Sequence, residues 1–323
     1  SPLIGKALVF IKGANLFETI LLNSVTYDPN YPSRPLSSER PSDGEDMPYW
    51  EVDEPEPPGK ARAPRGYLDY LTWQSRAVRL INEPDGIRRT YFAQGTKLDE
   101  GFYDPMVSYK VDDKGVRRAI GVDVDKEPWR GLSSLIQLQD RKNIPPKTVD
   151  EATELLLDDI IGEGLDSNLT VVGLVNNQAN VSIWRGSTMP LPPRYLRDRS
   201  TVVWIERSLN MAESRASALN SALWAYAGQI LDPSGGKADT KAIRNIVNSL
   251  DCRARYWGDV ERPFYELVED MAASEETYPY KELMDWSAEL TRAARRALDI
   301  ALDSRESNAR TLKARVRARS VFE

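Results

Sequence analysis

The chain has 323 residues, of which 41% are hydrophobic and 28% charged, and it contains no histidine and a single cysteine, Cys252. This composition predicts a soluble protein long enough for two domains. It excludes a Ser-His-Asp or Cys-His nucleophile, the usual zinc site and a disulfide framework, and the last exclusion fits a reducing cytoplasm. The net charge of −6 argues against a protein that coats duplex DNA but says nothing about a local basic patch. No apolar run reaches the roughly 18 residues that suggest a membrane span.

Carboxylates are the side chains left for catalysis. Asp158 with Asp159, and Asp123 with Asp125, are the two candidate pairs. Neither pair has a matching set of partners, and aspartates usually lie on solvated surfaces. The glycine-rich phosphate-binding motifs GxxxxGK[ST] and GxGxxG are absent as well. We therefore expect no catalytic site, no metal and no cofactor, with a carboxylate-metal nuclease as the alternative.

The first elements of the chain are a predicted strand and a short helix. Residues 3–11 form an apolar run typical of a strand, and Asn15 with Glu18 matches a capping box that opens a helix ending at Leu22. Leu16, Ile20 and the Leu21-Leu22 pair fit a buried face of this helix. Residues 28–64 then contain nine prolines and nine acidic residues, which predicts a long surface excursion.

The segment that follows is rich in predicted strands. Alternation from Leu71 to Leu80 indicates a strand, and GIRRTYFAQGTKL indicates a second strand that ends in a loop. Asp112–Gly115 has the composition of a hairpin turn. A helix is expected over 149–161, closed by Gly162. Two more strands are expected over 170–175 and 181–185.

Helical periodicity takes over after the proline-rich 190–193 segment. The pattern predicts helices over about 199–231, 239–272, 279–305 and 307–321, with a break in the second near Gly258 or Pro263. Four long helices with short connections are typical of a four-helix bundle. The predicted fold class is therefore α+β, with a β-rich portion over 1–190 and an all-α bundle over 191–323.

The connection between the last two strands is unusually rich in amides. Asn176, Asn177, Gln178, Ala179 and Asn180 form the expected tip of a hairpin. Asparagine tolerates turn geometry, but glutamine and alanine are poor turn formers. A glutamine at a rigid tip is flat and uncharged, and it carries both a donor and an acceptor. Such a side chain suits insertion between base pairs, while an ordinary turn is the alternative.

Basic residues mark two further candidate sites. Lys97 follows Gln94-Gly95-Thr96 at a strand end, where a long cationic side chain suits contact with a phosphate or a groove edge. The last predicted helix is crowded with cations, which suit nucleic acid or an acidic partner. A solvated bundle face is the alternative for this helix. Its cations are Arg310, Lys313, Arg315, Arg317 and Arg319.

Taken in order, these segments resemble a known family. FIKGANLFETILLNSVTY, the proline-rich segment with PYW, GYLDYLTWQSRAVRLI, RTYFAQGTKL, EPWRGLSSLI, LVNNQANVSIWR and a helical bundle follow one another. This order resembles that of the CasA family, the large subunit of the type I-E CRISPR surveillance complex Cascade. The similarity covers the whole chain. Its most specific parts are TWQSR and NNQA ahead of the bundle.

The resemblance implies a non-catalytic subunit that finds the protospacer-adjacent motif in double-stranded DNA from the minor groove and starts its unwinding. Gln178 and Ala179, flanked by Asn177 and Asn180, match the family's glutamine wedge. Lys97 is the lysine nearest to the family's lysine finger, although its spacing from Phe92 departs from the family pattern. The implied partners are the target duplex, the guide-RNA ribonucleoprotein with its small subunits, and a recruited helicase-nuclease.

The resemblance also implies that an N-terminal part, including a glycine-rich loop, precedes Ser1 in the full protein. Some members of the family bind zinc through a cysteine cluster, which this sequence lacks. A purely structural adaptor, whose hairpin tip is inert, is the alternative to a subunit that reads DNA.

Overall fold

The fold was determined as a computed structural model. It describes residues 5–25, 46–52, 59–74, 76–98, 104–123, 125–136, 143–161, 165–177, 180–234, 236, 238–304 and 308–323. The chain forms two compact units, one from residues 1–128 and 134–188 and the other from residues 129–133 and 189–323. The first unit mixes strands and helices and the second is helical, so the predicted α+β class is confirmed.

Ten strands are described, and all but the last lie wholly within the first unit. In chain order they are β1 (Ala7–Lys12), β2 (Ala61–Arg62), β3 (Arg76–Glu83), β4 (Gly86–Gln94), β5 (Lys97–Leu98), β6 (Tyr109–Val111), β7 (Arg117–Ala119), β8 (Asn143–Ile144), β9 (Asn168–Asn177) and β10 (Asn180–Pro190). They form the sheets β1-β9-β10, β2-β5, β3-β4 and β7-β6-β8.

Ten α-helices are described in the same ranges. They are α1 (Leu16–Leu22), α2 (Tyr67–Leu71), α3 (Leu132–Ile136), α4 (Lys147–Leu157), α5 (Pro193–Arg197), α6 (Val202–Leu231), α7 (Thr240–Asn248), α8 (Cys252–Ala273), α9 (Tyr280–Asp303) and α10 (Ala309–Phe322). Short 3₁₀ turns cover Tyr49–Glu51, Pro128–Gly131 and Arg199–Thr201.

The three-stranded sheet β1-β9-β10 carries the core of the first unit. β1 runs antiparallel to β9, with Ala7 opposite Gly173 and Lys12 opposite Asn168. Alternate residues of β1 point inward, and Val9 and Ile11 are fully buried. α1 and α4 pack on β1, so the core lies between these helices and the sheet.

The prediction that Leu16 and Ile20 lie on a buried face of α1 is wrong. Leu16 is 74% exposed and Ile20 61% exposed, whereas Leu22 is fully buried. The predicted N-cap is present, since the Asn15 side chain accepts a hydrogen bond from the Glu18 amide. The helix is fixed at its other end, where the Asn23 side chain bonds to both the amide and the carbonyl of Ile11. These polar bonds, and not the apolar spacing, decide which side of α1 faces β1.

The predicted strand from Leu71 to Leu80 is correct only in its second half. The residues up to Leu71 form α2, because the Asp46 carboxylate accepts hydrogen bonds from the amides of Leu68 and Asp69 and so caps the helix. The strand β3 begins at Arg76. The capping residue is more than twenty positions away in sequence, so no local pattern reveals the helix.

The helix predicted over 149–161 is shorter at its C-terminal end. α4 ends at Leu157, and Asp159 adopts a left-handed φ of 58° that breaks the helical path. Gly162, the expected stop, lies outside the described residues. The hairpin turn predicted at Asp112–Gly115 is confirmed, with the Asp112 carboxylate accepting from the amides of Lys114 and Val116.

In the second unit the predicted helix break is misplaced. The chain breaks between α7 and α8, where Asp251 adopts a left-handed φ of 50°. α8 continues through both Gly258 and Pro263. Proline disfavours a helix interior because it removes one backbone hydrogen bond. Here Val260 and Phe264 are fully buried on either side of it, and this packing keeps the helix continuous.

Aromatic side chains tie the helices of the second unit together. Trp129 is fully buried, with its ring centroid 4.9 Å from that of Phe264 on α8. The Tyr256 hydroxyl donates to the Ala212 carbonyl, and the Trp286 indole donates to the Ser208 carbonyl. These bonds connect α8 and α9 to α6, the longest helix of the unit.

Candidate nucleic-acid interface

The two strands predicted around the amide-rich segment form a hairpin. β9 ends at Asn177 and β10 begins at Asn180, so Gln178 and Ala179 make the connection. These two residues lie outside the described ranges, and the wedge assignment therefore stays a prediction. The structure confirms only the two flanking strands, which are neighbours in one sheet.

The base of this hairpin is held firmly. β9 is the central strand of its sheet, and Leu169 and Val171 are buried. Pairing with β1 ends at Gly173, followed by a 3.5 Å bond from the Gly5 amide to the Leu174 carbonyl. The three β9 residues after Leu174 correspond to about 10 Å of strand at the usual rise per residue. β9 and β10 thus extend a short way beyond the three-stranded part of the sheet, and the base of this extension is buried.

Gly173 shows how tightly this base is packed. A Cβ atom built on Gly173 would lie 2.7 Å from the Val122 side chain and 2.8 Å from the Lys6 carbonyl oxygen. Contacts below 3.0 Å require the neighbours to move. Glycine is therefore needed at the position where the hairpin leaves the three-stranded sheet.

An exposed indole lies on the same hairpin. Trp184 on β10 is 64% exposed and the adjacent Ile183 is 37% exposed. The sequence analysis gave neither residue a function. The signal that could have found Trp184 is a large aromatic residue four positions after Asn180, in the strand that follows the amide-rich segment.

Lys97 lies on a short strand and not at the end of a flexible loop. Its amide donates to the Lys60 carbonyl at 2.9 Å, and β5 runs parallel to β2. Gly95 and Thr96 are buried, and the Trp73 indole donates to the Thr96 carbonyl at 3.0 Å. The Lys97 side chain remains exposed. A fixed backbone therefore presents one solvated cation.

A buried ion pair holds the strand beside Lys97. The Arg62 guanidinium binds the Asp69 carboxylate through two hydrogen bonds of 2.5 and 2.9 Å and stacks 4.5 Å over the Trp73 ring. Burial acts to raise the pKa of Asp69, but the bonds from Arg62 and from the Arg65 amide outweigh it and lower the pKa below the ordinary 3.8. The carboxylate therefore stays charged at neutral pH.

The hairpin β3-β4 is a basic surface that the sequence analysis missed. Val78 faces Phe92 across the hairpin, and these side chains are 49% and 76% exposed. Arg79 faces Tyr91 and has no ion pair among the described residues. The sequence does contain a signal for this surface, namely four arginines spread over both strands. The prediction used only the apolar alternation of this segment. The exposed arginines are Arg76, Arg79, Arg88 and Arg89.

The basic residues of α10 divide into two groups. Arg315 binds Asp303 at 3.2 Å and Arg319 binds Asp299 at 2.8 Å, and both carboxylates belong to α9. Arg310 donates to the Leu231 carbonyl at the end of α6. Lys313 and Arg317 are exposed and have no ion pair within the described ranges. Sequence reasoning treated the five residues alike, whereas three of them hold the helix in place.

The two candidate carboxylate pairs lie on the surface of the first unit. Asp158 and Asp159 end α4 on an exposed turn, and Asp123 and Asp125 are exposed too. Within the described residues, no three acidic, histidine or cysteine side chains are arranged to hold a metal ion. In the same part of the chain, no helix is both long enough and apolar enough to span a bilayer.

The predicted site residues lie on separate elements. The amide-rich tip belongs to the sheet β1-β9-β10, and Lys97 belongs to the sheet β2-β5. The cations of α10 belong to the second unit. The structure therefore assigns the candidates to three different elements.

Comparison with known proteins gives a consistent family. A family model described as CRISPR-associated protein Cse1 matches residues 1–297. The CRISPR-associated protein CasA/Cse1 of Thermus thermophilus is 29% identical over 292 residues, which cover 84% of this chain and 54% of that protein. The chain therefore spans about half the length of this curated relative.

Solved structures show the same fold. A structure of Thermus thermophilus CasA (Cse1) superposes with a TM-score of 0.73 at 26% identity, covering 98% of this chain and 63% of that one. Thermobifida fusca Cse1 gives a TM-score of 0.69 at 20% identity, covering 98% and 61%. A chain from a CRISPR RNA-guided surveillance complex gives 0.66 at 20% identity, covering 100% and 61%. Since the family model matches more than nine-tenths of the sequence, the chain belongs to the CRISPR-associated Cse1 family.

Proposed function

We propose that the protein containing this chain is the non-catalytic large subunit of a type I-E CRISPR Cascade complex, and that it reads the protospacer-adjacent motif and starts duplex opening. Membership of the Cse1 family supports this proposal. A chain of a CRISPR RNA-guided surveillance complex shares the fold. The observation that carries the mechanism is the firmly packed base of the β9-β10 hairpin, whose two strands end at Asn177 and begin at Asn180.

A wedge needs a rigid support and a tip that does not carry a charge. Unstacking a base step costs a few kcal/mol, and a flexible loop would yield before the base pairs do. The buried central strand β9 and the close packing at Gly173 provide that support. The glutamine side chain offers a donor and an acceptor to base edges. Pairing of the guide RNA with the target strand then offsets the cost of opening.

Contact with the DNA backbone is assigned to exposed cations of the first unit. Lys97 is the proposed minor-groove contact, and its fixed strand makes it a positioned cation. Arg79 on the hairpin β3-β4 is a second candidate, because it is exposed and unpaired among the described residues. The minor groove distinguishes mainly A·T from G·C pairs, so we expect the protein to accept several related motifs.

The remaining partners follow from the family. We propose that the protein binds the guide-RNA ribonucleoprotein, including the small subunits, and that it recruits a helicase-nuclease. Lys313 and Arg317 are the candidates for contact with a displaced strand or a protein partner. Arg310, Arg315 and Arg319 are assigned to the support of α10, because each is bonded to α6 or α9.

The experiment is substitution of the tip in the full-length protein, assembled with guide RNA and the other subunits. Gln178→Ala is expected to reduce R-loop formation on target duplex while leaving assembly intact. Gln229→Ala is the matched control, because it removes another glutamine, a half-buried one near the C-terminal end of α6 whose side chain donates to the Pro233 carbonyl. Unchanged R-loop formation by Gln178→Ala would refute the wedge.

A structural adaptor is the second candidate function. It is favoured by the finding that three of the five cations of α10 are used inside the fold, which leaves this helix less charge for nucleic acid. An adaptor predicts that Gln178→Ala and Lys97→Ala assemble and form R-loops like the wild type. Lys114→Ala, which removes another exposed lysine of the first unit, is the control for Lys97.

A further inference from the structure

We propose that the open part of the groove between α6 and α9 binds an acidic amphipathic helix of a partner protein, placed in line with α10. This inference rests on the proposed membership in a multisubunit complex. The groove, called here the α6-α9 groove, has a volume of about 560 Å³. Its lining residues are Val203, Glu206, Arg207, Asn210, Met211, Ser214, Arg215, Ala218, Ser287 and Leu290.

α10 already occupies the adjoining part of the same surface. Its first turn bonds to the end of α6 through Arg310 and the Leu231 carbonyl. Its last turn reaches Arg215, whose guanidinium lies 5.9 Å from the Phe322 ring. α10 therefore runs antiparallel to α6, and its last described turn lies beside Arg215. The stripe of α6 from Arg215 back to Val203 continues as the open groove.

The way α10 is held suggests the shape of the occupant. Ala314, Ala318 and Phe322 are its buried residues, four positions apart, so one stripe of a helix enters the surface of α6. The open stretch from Val203 to Arg215 has 13 residues and a rise of about 18 Å along the helix. That length suits about three turns of a second helix lying in the same direction.

The charges lining the groove select an acidic occupant. Arg207 and Arg215 have no ion pair with a carboxylate among the described residues, and Glu206 is the one acidic residue lining the groove. α10 itself is held by the opposite arrangement, since its Arg315 and Arg319 bind aspartates of α9. Aromatic rings position both guanidinium groups, since Arg207 lies 5.8 Å from the Tyr278 ring and Arg215 lies 5.9 Å from the Phe322 ring. A helix bearing Asp or Glu at the matching positions would pair with these two guanidinium groups.

Aromatic residues extend the surface at its open end. The Trp204 ring lies 4.7 Å from Tyr278 in an edge-on arrangement, and Tyr278 lies 6.2 Å from Tyr280. Tyr278 is 39% exposed and Tyr280 60% exposed. Tryptophan, tyrosine and arginine are the residues that most often carry the binding energy of protein interfaces. Exposed Val203 and half-buried Met211 add apolar area that a protein side chain covers and a phosphate backbone does not, so the groove favours protein over nucleic acid.

The test places a photo-crosslinking residue, p-benzoylphenylalanine, at Ser214 in the full-length protein within the assembled complex. Asn245, exposed on α7, is the control position. Mass spectrometry of the crosslinked peptide is expected to identify an acidic helical segment of another protein subunit at Ser214 only. Crosslinks to nucleic acid, to a second copy or to the same chain would overturn the inference, as would no crosslink at Ser214 or equal yields at both positions.

A charge reversal gives the second measurement. Arg207→Glu is expected to weaken co-purification of the crosslinked subunit at least about tenfold, whereas Arg253→Glu, at an exposed position on α8, leaves it unchanged. The thermal unfolding of both variants should match the wild type. If the crosslinked subunit co-purifies with the Arg207→Glu variant as well as with the wild type, the inference is contradicted. Failure of the wild-type protein to assemble with guide RNA at all would instead refute the proposed function.

Discussion

Substitutions of the basic residues of α10 should fall into two groups, those that lower stability and those that lower binding, although the sequence alone does not distinguish these residues. The Arg315 side chain is 12% exposed and pairs with Asp303, which is 61% exposed, whereas Arg319 and Asp299 are both about half exposed. A hydrogen bond to a charged group contributes about 1.5–3 kcal/mol, and the arginine side of the Arg315–Asp303 pair is mostly buried. An exposed pair contributes about 0.2–1 kcal/mol. We therefore expect Arg315→Ala to lower the free energy of unfolding by about 2 kcal/mol and Arg319→Ala by less than about 1 kcal/mol.

Lys313→Ala and Arg317→Ala should behave in the opposite way. Both side chains are exposed and unpaired among the described residues, so the stability should change by less than about 0.5 kcal/mol. If Lys313 and Arg317 contact a displaced strand, each substitution removes one phosphate contact. The slope of log affinity against log salt should then fall by about 0.7 for single-stranded DNA.

The assay is urea unfolding followed by circular dichroism at 222 nm, paired with DNA binding by the assembled complex at several salt concentrations. Equal stability losses at Arg315 and Lys313 would refute the division of α10 into supporting and free cations. An unchanged salt slope in the Lys313→Ala, Arg317→Ala double variant would show that the free cations serve a protein partner or none.

Three further predictions concern buried residues of the two units. Asp69→Asn should destabilise the first unit at pH 7 by about 3 kcal/mol, because it breaks the buried ion pair with Arg62. Since the pKa of Asp69 is lowered in the folded state, the wild type loses this stabilisation as the pH falls below about 4. Urea unfolding should therefore show a smaller gap in stability between wild type and variant at pH 3 than at pH 7. A gap of the same size at pH 3 would contradict the assignment. Burial raises the pKa of the Cys252 thiol to about 12, so labelling by a maleimide at pH 8 should be about a thousandfold slower than in urea-unfolded protein; rapid labelling of folded protein would show that the start of α8 is open. Gly173→Ala should shift the base of the β9-β10 hairpin and so lower R-loop formation, although the residues of the tip are unchanged. Gly131→Ala, where a Cβ meets nothing within 4 Å, should leave R-loop formation unchanged. Equal R-loop formation by the two variants would argue that the hairpin base need not be rigid.

Local patterns predicted the elements whose residues decide their own structure. The Asn15 cap, the Asp112 turn and the long helix α6 all follow from residues within a few positions of one another. The hairpin β9-β10 follows from two apolar strands with a polar connection. These features depend on short-range hydrogen bonds and periodicity, which a sequence displays directly.

Contacts between distant residues explain what the sequence did not reveal. α2 depends on a cap from Asp46, more than twenty residues earlier. α8 continues through Pro263 because the surrounding packing favours it. The difference between Arg315 and Lys313 depends on Asp303 of a neighbouring helix. The role of Gln178 rests on the family resemblance, because a single turn residue carries no periodic signal.

The most direct test of the wedge is a measurement of base unstacking at the first pair beside the protospacer-adjacent motif. A target duplex with 2-aminopurine at that position is mixed with the complex assembled from the full-length protein. The wild type should raise the fluorescence as the base leaves the stack, and Gln178→Ala should bind the duplex with little or no rise, while Gln229→Ala behaves like the wild type. A rise of equal size and rate with Gln178→Ala would show that the duplex opens without the hairpin tip.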